Sequence, residues 1–283
     1  MKRLRITHLT EYRYSEPVVF GPHRALVRPR EGHDVHIEGS VLEISPNASA
    51  RWLRDMYGNS IAVLEFAEPG SVLRVFSEVT VAHYDENPLA FVIDPEAVAY
   101  PFRYPMDEQP ELIPYRLSAY PRDGEALRGW LLQFYKPGQL IGTFELLSRL
   151  NTAIYESFTY ARREETGVQS PAQTLRYGTG SCRDYATLMM EAARHWGFGA
   201  RFVSGYLQLG QEQHGATHAW TEIYIPGAGW RGFDPTNNML AGAQHVSVAV
   251  ARDPEKAAPI SGSWSGSPGA FQELYVDVQV VEI

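Results

Sequence analysis

Over residues 71–84 apolar and polar side chains alternate. Leu73, Val75, Val79 and Val81 fall on one side and Arg74, Glu78 and Thr80 on the other, with Phe76 the exception. A period of two is that of a half-buried strand. Residues 35–44 and 59–66 repeat the pattern, with Gly, Pro, Asn and Ser between the runs. Short strands at this spacing predict an antiparallel β-sandwich over residues 1–85.

Residues 86–121 change character. Prolines stand at 88, 95, 101, 105, 110, 114 and 121, and proline removes a backbone donor and fixes φ. Neither helix nor central strand suits such a stretch. Two readings stand open, an extended surface connector or a wall of the following unit.

From residue 122 the period becomes helical. Leu127, Trp130, Leu131 and Phe134 mark one helix, ending at Lys136-Pro137-Gly138; Phe144, Leu147, Leu150, Ile154 and Phe158 mark a second. Ser170-Pro171-Ala172-Gln173 reads as a helix start, and that short helix ends at Tyr177-Gly178. Residues 182–196 form the next helix, with Tyr185, Met189, Ala192, Ala193 and Trp196 on one face and glycines after it. Strands follow at 200–209, 216–225 and 230–233. The fold class is therefore α+β, with a second unit over residues 122–260. Residues 261–269 are rich in Ser and Gly, which favours a mobile loop. Residues 271–283 alternate again, as if the tail returned to an earlier sheet.

The composition of the 283 residues, 44% hydrophobic and 20% charged, is that of a chain with enough apolar surface to fold. Its net charge of −8 argues against a nucleic-acid partner, which needs a concentrated basic face. No run approaches the ~20 apolar residues of a membrane helix, so no membrane partner is expected. The basic start Met1-Lys2-Arg3 is followed by Glu11, Arg13 and Glu16 rather than an apolar core, so a cytoplasmic location is expected. The single cysteine, Cys182, excludes an intrachain disulfide and a multi-cysteine zinc site.

That cysteine stands in Gly178-Thr179-Gly180-Ser181-Cys182-Arg183-Asp184-Tyr185-Ala186, after a glycine turn and at the start of a helix. A helix N-terminus offers free N–H groups and partial positive charge, which favour a thiolate, the nucleophilic form. On the cysteine alone, a buried structural residue is the favoured reading. Thr217-His218-Ala219-Trp220 supplies an imidazole near a strand start, suited to act as base and then acid. After the turn Pro226-Gly227-Ala228-Gly229 comes Gly232-Phe233-Asp234-Pro235-Thr236-Asn237. The hairpin brings Asp234 toward His218, where a carboxylate fixes the tautomer and stabilises the imidazolium.

These segments, with Ala200-Arg201-Phe202-Val203-Ser204-Gly205-Tyr206-Leu207, resemble the transglutaminase-like superfamily of papain-like Cys-His-Asp enzymes. The resemblance is specific over about residues 150–240. Met56-Tyr57-Gly58-Asn59 is similar to the first domain of bacterial members. The resemblance implies a papain-like core of helices on an antiparallel sheet, with Cys182 as nucleophile, His218 as base and acid, and Asp234 as orienting group. It also implies an oxyanion hole, with the Cys182 backbone N–H as one donor and the Gln169 side chain as a second. The tryptophan that takes the latter role in vertebrate transglutaminases is absent just upstream of Cys182, and no calcium region is recognisable.

Other residues have plainer readings. The pair His214 and His218, four apart, would suit zinc on a helix, but the flanking glycines and β residues argue otherwise. No metal and no cofactor is expected. Asp184 and Arg183 read as structural, the acid favoured by the helix dipole. His8, His23, His33, His36 and His83 read as ordinary polar positions of the sandwich. Trp220 and Trp230 fit either a groove or the core. Specificity is expected from loops 160–167, 208–215 and 261–269. The leading functional reading is a cysteine hydrolase of peptide or other amide bonds acting through a thioester. Acyl transfer to an amine and a non-catalytic binding module stand as alternatives, with a peptide, protein or other amide as partner.

Overall fold

The structure is a computed structural model that describes residues 1–84, 87–163, 165–208 and 215–283. Strands of three or more residues are labelled. The N-terminal unit comprises β1 (Lys2–Phe20), β2 (His23–Ala25), β3 (Val35–Ser45), β4 (Ala48–Arg54), β5 (Ser60–Phe66) and β6 (Gly70–His83). On β6 the buried residues Leu73, Val75, Ser77, Val79 and Val81 alternate with half-exposed ones. Phe76, out of phase with the apolar face, lies on the outer side beneath the Arg74 guanidinium at 5.2 Å.

One sheet runs β3–β6–β1 and is completed by β11 (Phe271–Glu282), the returning tail, which pairs antiparallel with β1 from Leu4↔Glu282 to Tyr14↔Phe271. The second sheet runs β2–β5–β4. Tyr14, Val18, Phe20, Leu73 and Val75 of the first pack against Ala25, Ala62 and Leu64 of the second, which makes the sandwich. Residues 261–269 form a loop anchored at three points. Ser265 and Trp264 pair with Val19 and Phe20, and Ser261 pairs with Arg24. A segment short of apolar residues was captured because β1 and β2 offered unpaired backbone edges.

The proline-rich stretch is the wall of the second unit, and it contains a helix. Helix α1 (Gln109–Arg116) takes Pro110 in its first turn, where no N–H is needed, and carries Pro114 inside. Buried Leu112 holds it over Gly199. Packing thus overrides the low propensity of Pro114 in a helix of two turns. Helices α2 (Gly124–Leu131), α3 (Thr143–Ser157), α4 (Pro171–Tyr177) and α5 (Cys182–His195) follow. Next come β7 (Ala200–Leu207), β8 (His218–Ile225), β9 (Gly229–Asp234) and β10 (His245–Ala251), arranged β9–β8–β7–β10 in one antiparallel sheet.

Helix α5 is buried all round from Asp184 to Arg194, not on one face alone, because it lies between this sheet and the other four helices. The two units share one apolar core. Leu4, Ile6, Val79, Val81, Val278 and Val280 belong to the same cluster as Leu146, Met189 and Val248. His8, His23 and His83 are buried rather than ordinary polar positions. His8 bridges the units, 3.0 Å from the Tyr206 hydroxyl and 3.0 Å from Thr10 Oγ1, and burial pushes its pKa down to about 4. Buried imidazoles persist here because each finds polar partners.

Candidate active site

Two helix starts build one side of the site. At α4, Ser170 and Gln173 form the reciprocal capping box that the sequence predicts, and Gly178 closes the helix at φ 67°. That left-handed conformation favours glycine. The chain then turns through Gly180, where a Cβ would press on the Asp184 Cβ and the Tyr185 ring at 3.0 Å. Ser181 caps α5 and Cys182 is its first residue, half-buried. The backbone N–H of Cys182 therefore has no intrahelical acceptor.

Asp184 does more than complement the helix dipole. It is fully buried, and its Oδ2 accepts the Ser181 N–H and hydroxyl, both at 2.8 Å. Its Oδ1 accepts the Gln169 backbone N–H and the Arg163 guanidinium, both at 2.7 Å. One carboxylate thus ties Gln169 to the turn that carries Cys182. The Gln169 Oε1 accepts the Thr174 hydroxyl at 3.0 Å, which leaves the amide NH2 as the end available to a ligand.

The other side comes from the sheet. His218 begins β8 and Asp234 ends β9, and the hairpin pairs Thr221 with Phe233. The Thr221 hydroxyl donates to the Ala186 carbonyl at 2.6 Å and so fixes β8 against α5. His218 Nε2 lies 2.8 Å from Asp234 Oδ2. The Cys182 thiol acts on the same ring and helps to raise its pKa. With Nε2 turned to the carboxylate, Nδ1 is the nitrogen left for the sulfur.

Burial works against a charged His218, but the bonds to Asp234 and Cys182 outweigh it and raise the imidazole to about 10. Burial likewise works against a charged Asp234. There the donors His218, His245 and Asn237 prevail and hold the carboxyl well below the usual range. Oδ2 accepts from His218, from His245 at 3.1 Å and from the Asn237 amide at 2.8 Å. Oδ1 accepts the N–H groups of Thr236 and Asn237 at 3.0 and 3.3 Å.

The sequence alone points to no role for His245 or Asn237. For His245 the signal was faint, an imidazole at the head of the alternating run His245-Val246-Ser247-Val248. His218, Asp234 and His245 also form the one group among the described residues whose ligand atoms could hold a metal ion. Those atoms already bond to one another, and the Asn237 amide donor lies 3.4 Å from His218 Nε2, within the same group. A donor N–H there suits a carboxylate rather than a cation. His214 lies outside the described residues.

Of the expected walls, Tyr160 is about half exposed, and partial desolvation and the charge of Cys182 raise its phenol. Residue 164 and residues 209–214 lie outside the described residues. In loop 261–269, Ser261, Trp264 and Ser265 pair with the sandwich. Trp220 is core, buried and stacked on His218 with ring centroids 6.2 Å apart. Trp230 packs under the Arg201 guanidinium at 4.1 Å.

Residues 4–82 match the bacterial transglutaminase-like N-terminal region, and residues 139–235 match the transglutaminase-like superfamily core. An uncharacterized protein of Mycobacterium tuberculosis is 29% identical over 98% of this chain and 92% of its own length. One of Mycobacterium leprae is 26% identical over 98% and 99%. The crystal structure of a candidate cysteine protease from Cytophaga hutchinsonii has a TM-score of 0.74 at 20% identity, covering 100% of this chain and 91% of that one. It establishes the shared fold. Among the described residues no helix is long and apolar enough to cross a membrane.

Proposed function

The chain belongs to the transglutaminase-like superfamily, a scaffold of papain-like enzymes and binding modules, and on that premise we propose that it is a cysteine hydrolase of peptide or other amide bonds. The observation that carries the reading is the imidazole of His218, which bonds Asp234 through Nε2 at 2.8 Å and whose pKa is raised by both Asp234 and Cys182. A histidine serving only the core needs no such pair.

In the proposed reaction the Cys182 sulfur attacks the carbonyl carbon of the amide. The developing oxyanion takes hydrogen bonds from the Cys182 N–H and the Gln169 NH2. His218, cationic at rest, protonates the leaving amine, and a thioester remains. Water, deprotonated by the now neutral His218, attacks the thioester; the adduct collapses, releasing the acid and expelling the Cys182 thiolate, so the cationic imidazole and the sulfur are restored together. Asp234 keeps the ring oriented and its charge balanced throughout without taking the proton. The closed hydrogen bonding of Asp234 supports that division of labour. No step calls for a metal or a cofactor.

The test uses two measurements. Iodoacetamide should label Cys182 rapidly near pH 7, and the labelling should slow sharply in His218→Ala. Slow labelling that is indifferent to His218 points instead to a binding module. With a peptide library, release of new termini should dominate with and without a primary amine. If millimolar amine is incorporated in preference to water, the enzyme is an acyl transferase.

A further inference from the structure

We propose that His245 is a positioning residue of this site, a neutral N–H donor that locks Asp234 in place and is itself held by the N-terminal unit. The proposal rests on the triad reading above and deepens it.

Three observations converge. First, the ring is oriented at both nitrogens. The Gly242 N–H lies 3.4 Å from Nδ1, so Nδ1 accepts, and the proton sits on Nε2, 3.1 Å from Asp234 Oδ2. Burial keeps this imidazole neutral, and the neighbouring His218 and His83 add to that, against the pull of Asp234. A neutral donor stabilises the carboxylate without cancelling the charge that His218 needs.

Second, the bond completes a shell. With His245 in place Asp234 accepts five hydrogen bonds, three at Oδ2 and two at Oδ1, and any other orientation would break some of them.

Third, β10, which His245 begins, is the edge strand of the sheet, and its outer edge is occupied by the N-terminal unit. His83 Nε2 donates to the carbonyl of His245 itself at 3.0 Å. The Arg30 N–H donates to the Ser247 carbonyl at 2.9 Å. Asn59 then acts as a strand residue would, accepting the Val250 N–H at 2.9 Å and donating to its carbonyl at 2.7 Å. The turn Met56-Tyr57-Gly58-Asn59 is thus a clamp on the strand that carries His245. The sandwich is part of the frame of the site.

The experiment compares His245→Phe, which keeps the ring shape and loses the donor, with His245→Gln, which places an amide N–H near the same point. Two readouts are taken well below the melting temperature. One is the low-field NMR resonance of the His218 Nε2 proton bonded to Asp234. The other is the rate of Cys182 alkylation across pH.

In His245→Phe the resonance should broaden or move upfield. The alkylation rate at pH 7 should fall about tenfold, equivalent to one pKa unit. His245→Gln should recover most of both. A role in packing alone predicts a lower melting temperature with resonance and pH profile unchanged in both folded variants, and that result overturns the proposal. The reading beneath it fails separately: wild-type Cys182 would then be slow and indifferent to His218→Ala, whatever the resonance shows. A His83→Phe variant, outside the triad, should weaken the same resonance through the His245 carbonyl. If His245→Phe and His83→Phe both leave it untouched, the clamp is excluded.

Discussion

The carboxylate of Asp184 accepts the backbone N–H of Gln169 at 2.7 Å, and this single bond sets the proposed oxyanion amide against the turn that bears Cys182. All four partners of Asp184 are donors, one of them the Arg163 guanidinium. Replacement by Ala strands them in the interior. We expect Asp184→Ala to cost about 3 kcal/mol in urea unfolding. Asp184→Asn should do little better, since its NH2 would face donors. Equal stability of Asn variant and wild type would show that the four bonds do not act together.

Gln169 is anchored through its backbone and through Oε1, so its NH2 is the part that can act on a substrate. Gln169→Ala should lower kcat by about 10²-fold or more, the usual cost of one oxyanion donor. KM and melting temperature should change little. A pure rise in KM would instead assign Gln169 to ground-state binding.

The titration of the His218–Asp234 pair has a definite sign. Asp234 is depressed in the folded state, so its contribution is present above about pH 4, the unfolded value, and is lost as the pH falls below it. His218 is raised, so its contribution is full below about pH 6.5 and is lost as the pH rises toward about 10. Stability drawn from the pair should therefore be greatest between roughly pH 4 and 6.5. Urea midpoints across pH should show it, and Asp234→Asn should flatten both limbs. Identical profiles for variant and wild type would place the pH dependence elsewhere.

Asn59 is fully buried and bonds Asp55, Val250 and Arg30. Asn59→Ala should cost about 2–3 kcal/mol by leaving the Val250 groups and Arg30 unmatched. A chain lacking residues 1–84 should fail to unfold cooperatively, because Leu4, Ile6, Val79 and Val81 are removed from the shared core. A sharp thermal transition in that fragment would show the second unit to be autonomous.

Much of the site was legible in the chain. The glycine turn before Cys182, the capping box at Ser170 and Gln173, and the hairpin between His218 and Asp234 are local features, set by neighbours a few residues apart. The helix at 109–116 was not legible, because Pro114 opposes it and only the burial of Leu112 over Gly199 decides for it. The anchoring of loop 261–269 was not legible for the same reason. Its composition favours mobility, while its pairing depends on edges supplied by residues 19–24.

By itself the sequence determined the periods of its strands and helices, the caps that end them, and a lone sulfur at a helix start, since these follow from side-chain spacing and backbone preference. Tertiary structure decided which edges meet. It laid the tail against β1, set Asn59 on the edge of β10 and turned His245 toward Asp234. Such contacts join residues far apart along the chain, and their geometry follows from how the sheets close around a common core rather than from any local pattern.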